Sequence, residues 1–289
     1  MAMAKKHRSN QLNFTLFTIF TFLTLISFFI LKESNFNKPI PGVVEIPKEV
    51  QESIKNVKPQ KSFRVPILLY HYVEYVKDEG DTIRKSLNIV PFIFEQQIKT
   101  LKNAGISFIT TADLANALDD KASIDPKSVI LTFDDGYRDF YTDVFPILKK
   151  YQVKAVVYIV PNFLDLPNNL TTWQLKEIAQ SPLVEIGAHT MNHAYLSGLP
   201  LNRVEYEVKQ SKEYLESNFE IKVTSFAYPY GAFDNQTIGV VKKAGFKSAV
   251  TAIYGVFALD VNKFFLYRIR PGVRTGDSLL ELFRFESLK

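Results

Sequence analysis

The chain has 289 residues, 46% of them hydrophobic and 22% charged, with no Cys. That composition excludes a disordered chain, a disulfide-stapled fold, a thiol nucleophile and any Cys-ligated zinc site. The first 62 residues hold 9 Lys and Arg against 4 Asp and Glu, while the remaining 227 hold 26 of each. The basic excess is therefore confined to the N-terminal segment, and the rest offers no electrostatic case for binding nucleic acid.

Taken in chain order, the first feature is an uncharged stretch from Ser9 to Leu31. It exceeds the ~20 apolar residues that cross a bilayer. Lys5, Lys6 and Arg8 precede it and Lys32 follows, so the positive-inside bias keeps the N-terminus in the cytoplasm. The expectation is a signal-anchor over residues 1–32, single-pass in the cell membrane, with the rest extracytoplasmic. A cleaved signal peptide is the competing reading, with a shorter apolar core and a small-x-small site. The bulky end Phe28-Phe29-Ile30-Leu31 favours the uncleaved anchor. Residues 33–62, with Pro39, Pro41, Pro47 and Pro59, read as an extracytoplasmic linker. Residues 63–289 read as one domain.

In that domain apolar runs alternate with helical patterns. Strands are expected at Val65–Tyr70, Ile106–Thr110, Val129–Thr132, Ala155–Val160, Val184–Ala188, Ser225–Tyr228 and Ser248–Thr251. A helix is expected over Phe92–Ala104, closed by Gly105, then a short one capped by Thr111. Others follow up to Tyr151 with a break at Pro146, from Thr172, through Val204, Val208, Ser211 and Leu215, and around Ile238–Ala244. Repeated strand–helix units imply a parallel sheet covered by helices, and the length suits a single α/β barrel.

Such folds gather chemistry at the C-terminal ends of their strands. His71, Asp134-Asp135, His189 and Tyr228-Pro229-Tyr230 all follow apolar runs. Of the four His in the chain, only His7 lies before the anchor. His189 and His193 have the i, i+4 spacing that would bring two imidazoles to one face of a helical turn. Adjacent carboxylates such as Asp134 and Asp135 repel, and a cation or strong hydrogen bonding is needed to keep both ionised; an Asx-type turn closed by Gly136 is the alternative. Together Asp135, His189 and His193 supply three ligands for a divalent metal. Asp134 is placed to act as base and His71 as acid, a set that suits metal-assisted hydrolysis of an acyl group.

Thr132-Phe133-Asp134-Asp135-Gly136, His189-Thr190-x-x-His193 and Tyr228-Pro229-Tyr230-Gly231 resemble the motifs of the polysaccharide deacetylases with a NodB homology domain, carbohydrate esterase family 4. The segment Leu170–Ala179 is also similar to the family's stretch before the His motif. The resemblance implies a distorted (β/α)7 barrel, Asp134 as general base, and Asp135, His189 and His193 around a metal. That metal is commonly zinc, with cobalt, nickel or iron as alternatives. It also implies that the backbone N–H of Tyr230 helps hold the oxyanion. Two departures stand out. The family's Arg that orients the catalytic Asp is Ala227 here, and Arg268 or Arg270 in FLYRIR is the candidate replacement. No His follows His193, so the acid falls to His71, as in the permuted subgroup acting on poly-β-1,6-N-acetylglucosamine.

The implied partner is an N-acetylated polysaccharide, with peptidoglycan or chitin-type oligomers as other possible substrates. Tyr72, Tyr228, Arg268 and Arg270 are candidate substrate-binding residues. Tyr70, Tyr230 and Trp173 are further candidate sugar-stacking faces, although core packing suits Trp173 better. An O-acetyl-glycan esterase and a non-catalytic glycan-binding protein are the alternative functions.

Overall fold

The computed structural model describes residues 45–78 and 80–283. The expected anchor lies outside the described residues, as does most of the linker's first half. Among the described residues no helix is long and apolar enough to cross a membrane.

Eight parallel strands form the main sheet: β1 (Ile67–Tyr70), β2 (Ser107–Phe108), β3 (Ser128–Phe133), β4 (Ala155–Ile159), β5 (Val184–Ala188), β6 (Ser225–Ala227), β7 (Ser248–Tyr254) and β8 (Leu266–Arg268). The order is β8-β7-β6-β5-β4-β3-β1, with the short β2 paired to the start of β3. Ile269, just past β8, accepts from the N–H of Leu69 and donates to the carbonyl of Ile67, both at 2.8 Å. A single bridge thus joins the first and last strands, and the seven-strand ring is nearly closed.

Alternation along the strands divides the apolar residues into two layers. Ile67, Ile130, Val156, Tyr158, Ala227, Val250 and Leu266 share one buried cluster inside the ring. Their strand neighbours Leu68, Leu131, Val157, Phe226 and Ile269 belong to a second cluster beneath the helices. That outer layer is covered by α1 (Pro91–Asn103), α2 (Thr111–Leu118), α3 (Phe145–Tyr151), α4 (Thr172–Ala179), α5 (Leu201–Phe219) and α6 (Asn235–Lys243). The inward-facing Glu185 is satisfied by the hydroxyls of Thr111 and Ser225 and the N–H of Ala112, which ties the start of α2 to the barrel.

Several local expectations need adjusting. The cap of α2 is Thr110, whose side chain accepts from Asp113 N–H while Asp113 returns a bond to the cap; Thr111 is the first helical residue. The expected break or kink falls just before Pro146, which sits in the first turn of α3 directly after a π-helical turn, Phe140–Val144. The folded domain also starts before residue 63. Residues Lys48–Ile54 form a helix whose Val50 is fully buried in the outer cluster, and Glu49 accepts from the N–H of Asn235. Ser62–Arg64 pairs antiparallel with Phe257–Leu259 to form a small second sheet.

Candidate active site

Strand alternation decides which side chains reach the barrel mouth. His71 continues the inward row of β1, Asp134 that of β3, His189 that of β5 and Arg268 that of β8. Tyr228 falls on the outward row of β6. It is fully buried, with its hydroxyl donating to the Phe264 carbonyl at 3.0 Å, so it offers no face to a sugar. Tyr70 is turned the same way, toward Gln97. Trp173, expected in the core, is 66% exposed on α4.

Arg268 reaches across the barrel to Asp134. Its two terminal nitrogens donate to the two carboxylate oxygens at 2.8 and 2.7 Å, and Nε donates to the Thr251 carbonyl at 2.8 Å. Both side chains are almost fully buried. A bidentate fork holds both the charge and the plane of the carboxylate. Burial opposes ionisation of Asp134, but the Arg268 guanidinium overrides it and holds the carboxyl below its ordinary range. Arg268 thus clamps the Asp134 carboxylate from β8, and its guanidinium is spent on that carboxylate and the Thr251 carbonyl rather than turned into the open mouth. Arg270, two residues on, is exposed at the rim.

Asp135 and the two imidazoles form the second half of the site. Asp135 Oδ1 lies 3.3 Å from His189 Nε2 and 3.2 Å from His193 Nε2, and one ligand atom from each residue lies within 4.8 Å of the others. His189 Nδ1 is 2.7 Å from the carbonyl of Ala227. A carbonyl can only accept, so Nδ1 carries a proton and Nε2 is the nitrogen turned to Asp135. Oδ1 is buried and has no hydrogen-bond partner. An orphaned carboxylate oxygen facing two imidazole nitrogens fits a metal ion held by all three.

The local backbone is unusual at the same residues. Asp135 (φ 74°), Thr190 (φ 63°), His193 (φ 56°) and Tyr230 (φ 60°) are all left-handed without being Gly. His189 and His193 are therefore not on a helix, as their spacing suggests, but at the two ends of a turn after β5. Gly231 (φ +69°) shapes the turn holding Tyr230. A Cβ there would come within 2.6 Å of the Ala252 nitrogen.

Around the mouth, Tyr230 is 42% exposed, with its ring 4.7 Å from that of His193. His71 is half-buried. Burial pushes its imidazole down, while the charges of Asp135 and Asp134 act in the opposite sense. Tyr72, half-buried, stacks on Tyr137 with ring centres 3.8 Å apart, and Arg84 lies over its ring. Tyr137 is a site residue that the motifs alone do not single out. Burial, reinforced by the Asp135 carboxylate, pushes its phenol well above the ordinary value. Its position directly after the Asp-Asp-Gly turn is the only signal for it in the sequence.

A family model described as polysaccharide deacetylase matches residues 121–249. YxkH of Bacillus subtilis (strain 168), which carries the name of a polysaccharide deacetylase, is 30% identical over 238 residues, covering 82% of each chain. The Streptococcus pyogenes deacetylase PplD in complex with acetate superposes with a TM-score of 0.71 at 30% identity, over 78% of this chain and 100% of that one. The poly-beta-1,6-N-acetyl-D-glucosamine N-deacetylase of Escherichia coli (strain K12) is 27% identical over 255 residues, covering 73% of this chain but only 37% of the relative. With its nearly closed barrel and its paired carboxylates and imidazoles, the chain belongs to the polysaccharide deacetylase family, the NodB-domain enzymes of carbohydrate esterase family 4.

Proposed function

We propose that the protein is a divalent-metal-dependent hydrolase that removes N-acetyl groups from an N-acetylglucosamine polymer. Poly-β-1,6-N-acetylglucosamine is favoured over peptidoglycan or chitin-type chains. The observation that carries the reading is the Arg268–Asp134 fork beside the Asp135, His189 and His193 cluster. Asp135, His189 and His193 would hold the ion, zinc before cobalt, nickel or iron. The ion would polarise the acetyl carbonyl and make an attacking water more acidic. Asp134, kept ionised by Arg268, takes the proton from that water. His71 gives a proton to the departing amine, which leaves poorly until protonated. The N–H of Tyr230 donates to the oxyanion that develops on the acetyl group. Tyr72 and the exposed face of Tyr230 flank the sugar, and Arg270 lies at the rim.

The linkage preference rests on the name of the Escherichia coli relative and on the acid His lying early in the domain. The same proposal includes residues 1–32 as a membrane anchor, a linker that ends before the packed helix Lys48–Ile54, and the domain outside the cell. Protease added to spheroplasts would then reach the domain. The substrate test is a panel of β-1,6 and β-1,4 N-acetylglucosamine oligomers and acetylated xylan, with released acetate measured for each. Acetate mainly from the β-1,6 series supports the reading. Acetate mainly from xylan would make the protein an O-acetyl esterase, and release from none would leave it a binding protein.

A further inference from the structure

The turn between the two imidazoles is held from outside itself. Two of its residues, Thr190 and His193, have left-handed backbones that a β-branched and a bulky side chain rarely adopt unless the surroundings impose them. His189 is fixed by β5 and by its bond to Ala227. His193 lies beyond the strand, so its place depends on the turn.

The tether is Glu207, a fully buried residue of α5. One carboxylate oxygen accepts from the backbone N–H of Asn192 at 2.9 Å, and the other accepts from its Nδ2 at 2.9 Å. The Glu207 carbonyl accepts from the N–H of Met191 at 3.0 Å. One helix residue therefore takes three hydrogen bonds from the turn. Asn162 closes the arrangement from the other side. Its side-chain amide donates to Asn192 Oδ1 at 2.6 Å, and its backbone N–H donates to the carbonyl of Met191 at 3.2 Å.

We propose that Glu207 is a positioning residue for the metal site, its buried carboxylate fixing the turn that sets His193 against His189 and Asp135. The inference rests on the reading of those three residues as metal ligands. A carboxylate suits the task because it only accepts, and the groups it meets are all donors: the backbone and side-chain N–H groups of Asn192, and the Arg203 guanidinium one turn back on α5, 3.5 Å from one oxygen. A Gln side chain has the same shape but would turn an N–H₂ group toward one of those donors.

The test measures metal affinity directly. Zinc is competed against a chelator, and the visible spectrum of the cobalt-loaded protein is recorded. Glu207→Gln is expected to weaken zinc binding about 10-fold, the lower end of the scale for losing a partner behind a metal ligand, because Glu207 acts through the turn rather than on an imidazole, and to alter the cobalt spectrum. Leu215→Ala, a buried change on the same helix, should lower the melting temperature without moving zinc affinity. Asn192→Asp alone should also weaken binding, because two carboxylates would then face each other. Combined with Glu207→Gln it should recover much of the loss, since the introduced amide could then donate to the new carboxylate.

If Glu207→Gln does not fold, Asn192→Ala carries the test at an exposed position and should lose several-fold in affinity. Unchanged zinc affinity in the folded variants, or an Asn192→Asp effect that is the same with and without Glu207, would overturn the inference. Failure of the unaltered protein to bind zinc or cobalt at all would instead overturn the metal-site reading beneath it.

Discussion

At the residue scale, the site turns on one buried ion pair and one unpaired imidazole. Removing Arg268 exposes what it does for Asp134. In Arg268→Met, burial loses its main opponent and only the charges of His189 and His71 still act against it, so the carboxyl's pKa rises and the proposed base is protonated over a wider pH range. The acidic limb of kcat/KM should therefore move to higher pH, and turnover at neutral pH should fall by roughly 10²-fold. Stability should follow with the same sign. The paired carboxylate stabilises the fold above its unfolded pKa, and that contribution is lost as pH falls through its lower folded pKa. Breaking the pair removes it at neutral pH as well, at a cost of about 3–5 kcal/mol. Urea titrations with pH–rate profiles check both, and an acidic limb that stays in place would show that Arg268 does not tune the base. His71→Ala should keep the fold and the bound metal yet lose ~10²-fold or more on an acetamide, with a smaller loss on an acetyl ester, whose leaving group needs less help. Equal losses on both substrates would remove His71 as the acid. His71, Asp134, Asp135 and His189 were legible in the sequence because each follows an apolar run, whereas Tyr228, expected at the sugar, is turned outward by the alternation of its strand. What spacing could not reveal is that the two His residues lie on a strained turn rather than a helix. Local periodicity carries no record of the Glu207 tether that holds it.

At the element scale, the connection after β1 is docked onto the barrel by a buried acid. Tyr72–Val73 pairs with Asn88–Ile89, Arg84 pairs with Glu74, and Asp139 accepts the N–H of Val73. The other Asp139 oxygen is buried without a partner, and burial pushes its pKa up to about 7. A raised carboxyl pKa means that the folded state holds the proton more tightly. The associated stability is fully present below the ordinary carboxylate range and is lost as pH rises through about 7. Asp139→Asn should therefore flatten the stability profile in that window, as followed by melting temperature against pH. A slope identical to that of the unaltered protein would mean that Asp139 does not titrate there. The central strands were readable as apolar runs because they are buried on both faces. The pairing of Ser62–Arg64 with Phe257–Leu259 was not, since both strands are short and partly exposed and their partners lie at opposite ends of the chain. The helix Lys48–Ile54 was hidden inside a Pro-rich stretch, with one buried residue, Val50, to mark it.

At the scale of the whole molecule, near-closure of the barrel makes the early position of His71 workable. β1 and the end of β8 are bonded neighbours, so the first strand delivers its terminal residue to the same mouth as the last. The barrel was legible from the repeated strand–helix units, but the identity of the polymer was not, because it depends on the shape of a groove built by loops. Every catalytic role proposed here depends on Asp135, His189 and His193 binding an ion beside a base held by Arg268. The most direct test is to titrate zinc into the metal-stripped protein and follow acetate release from a β-1,6-N-acetylglucosamine oligomer. Activity is predicted to rise to a plateau at one ion per chain, with one free amine formed per acetate, and to be absent in His193→Ala at the same zinc concentrations. Full acetate release from the metal-stripped protein, or from His193→Ala, would contradict that dependence.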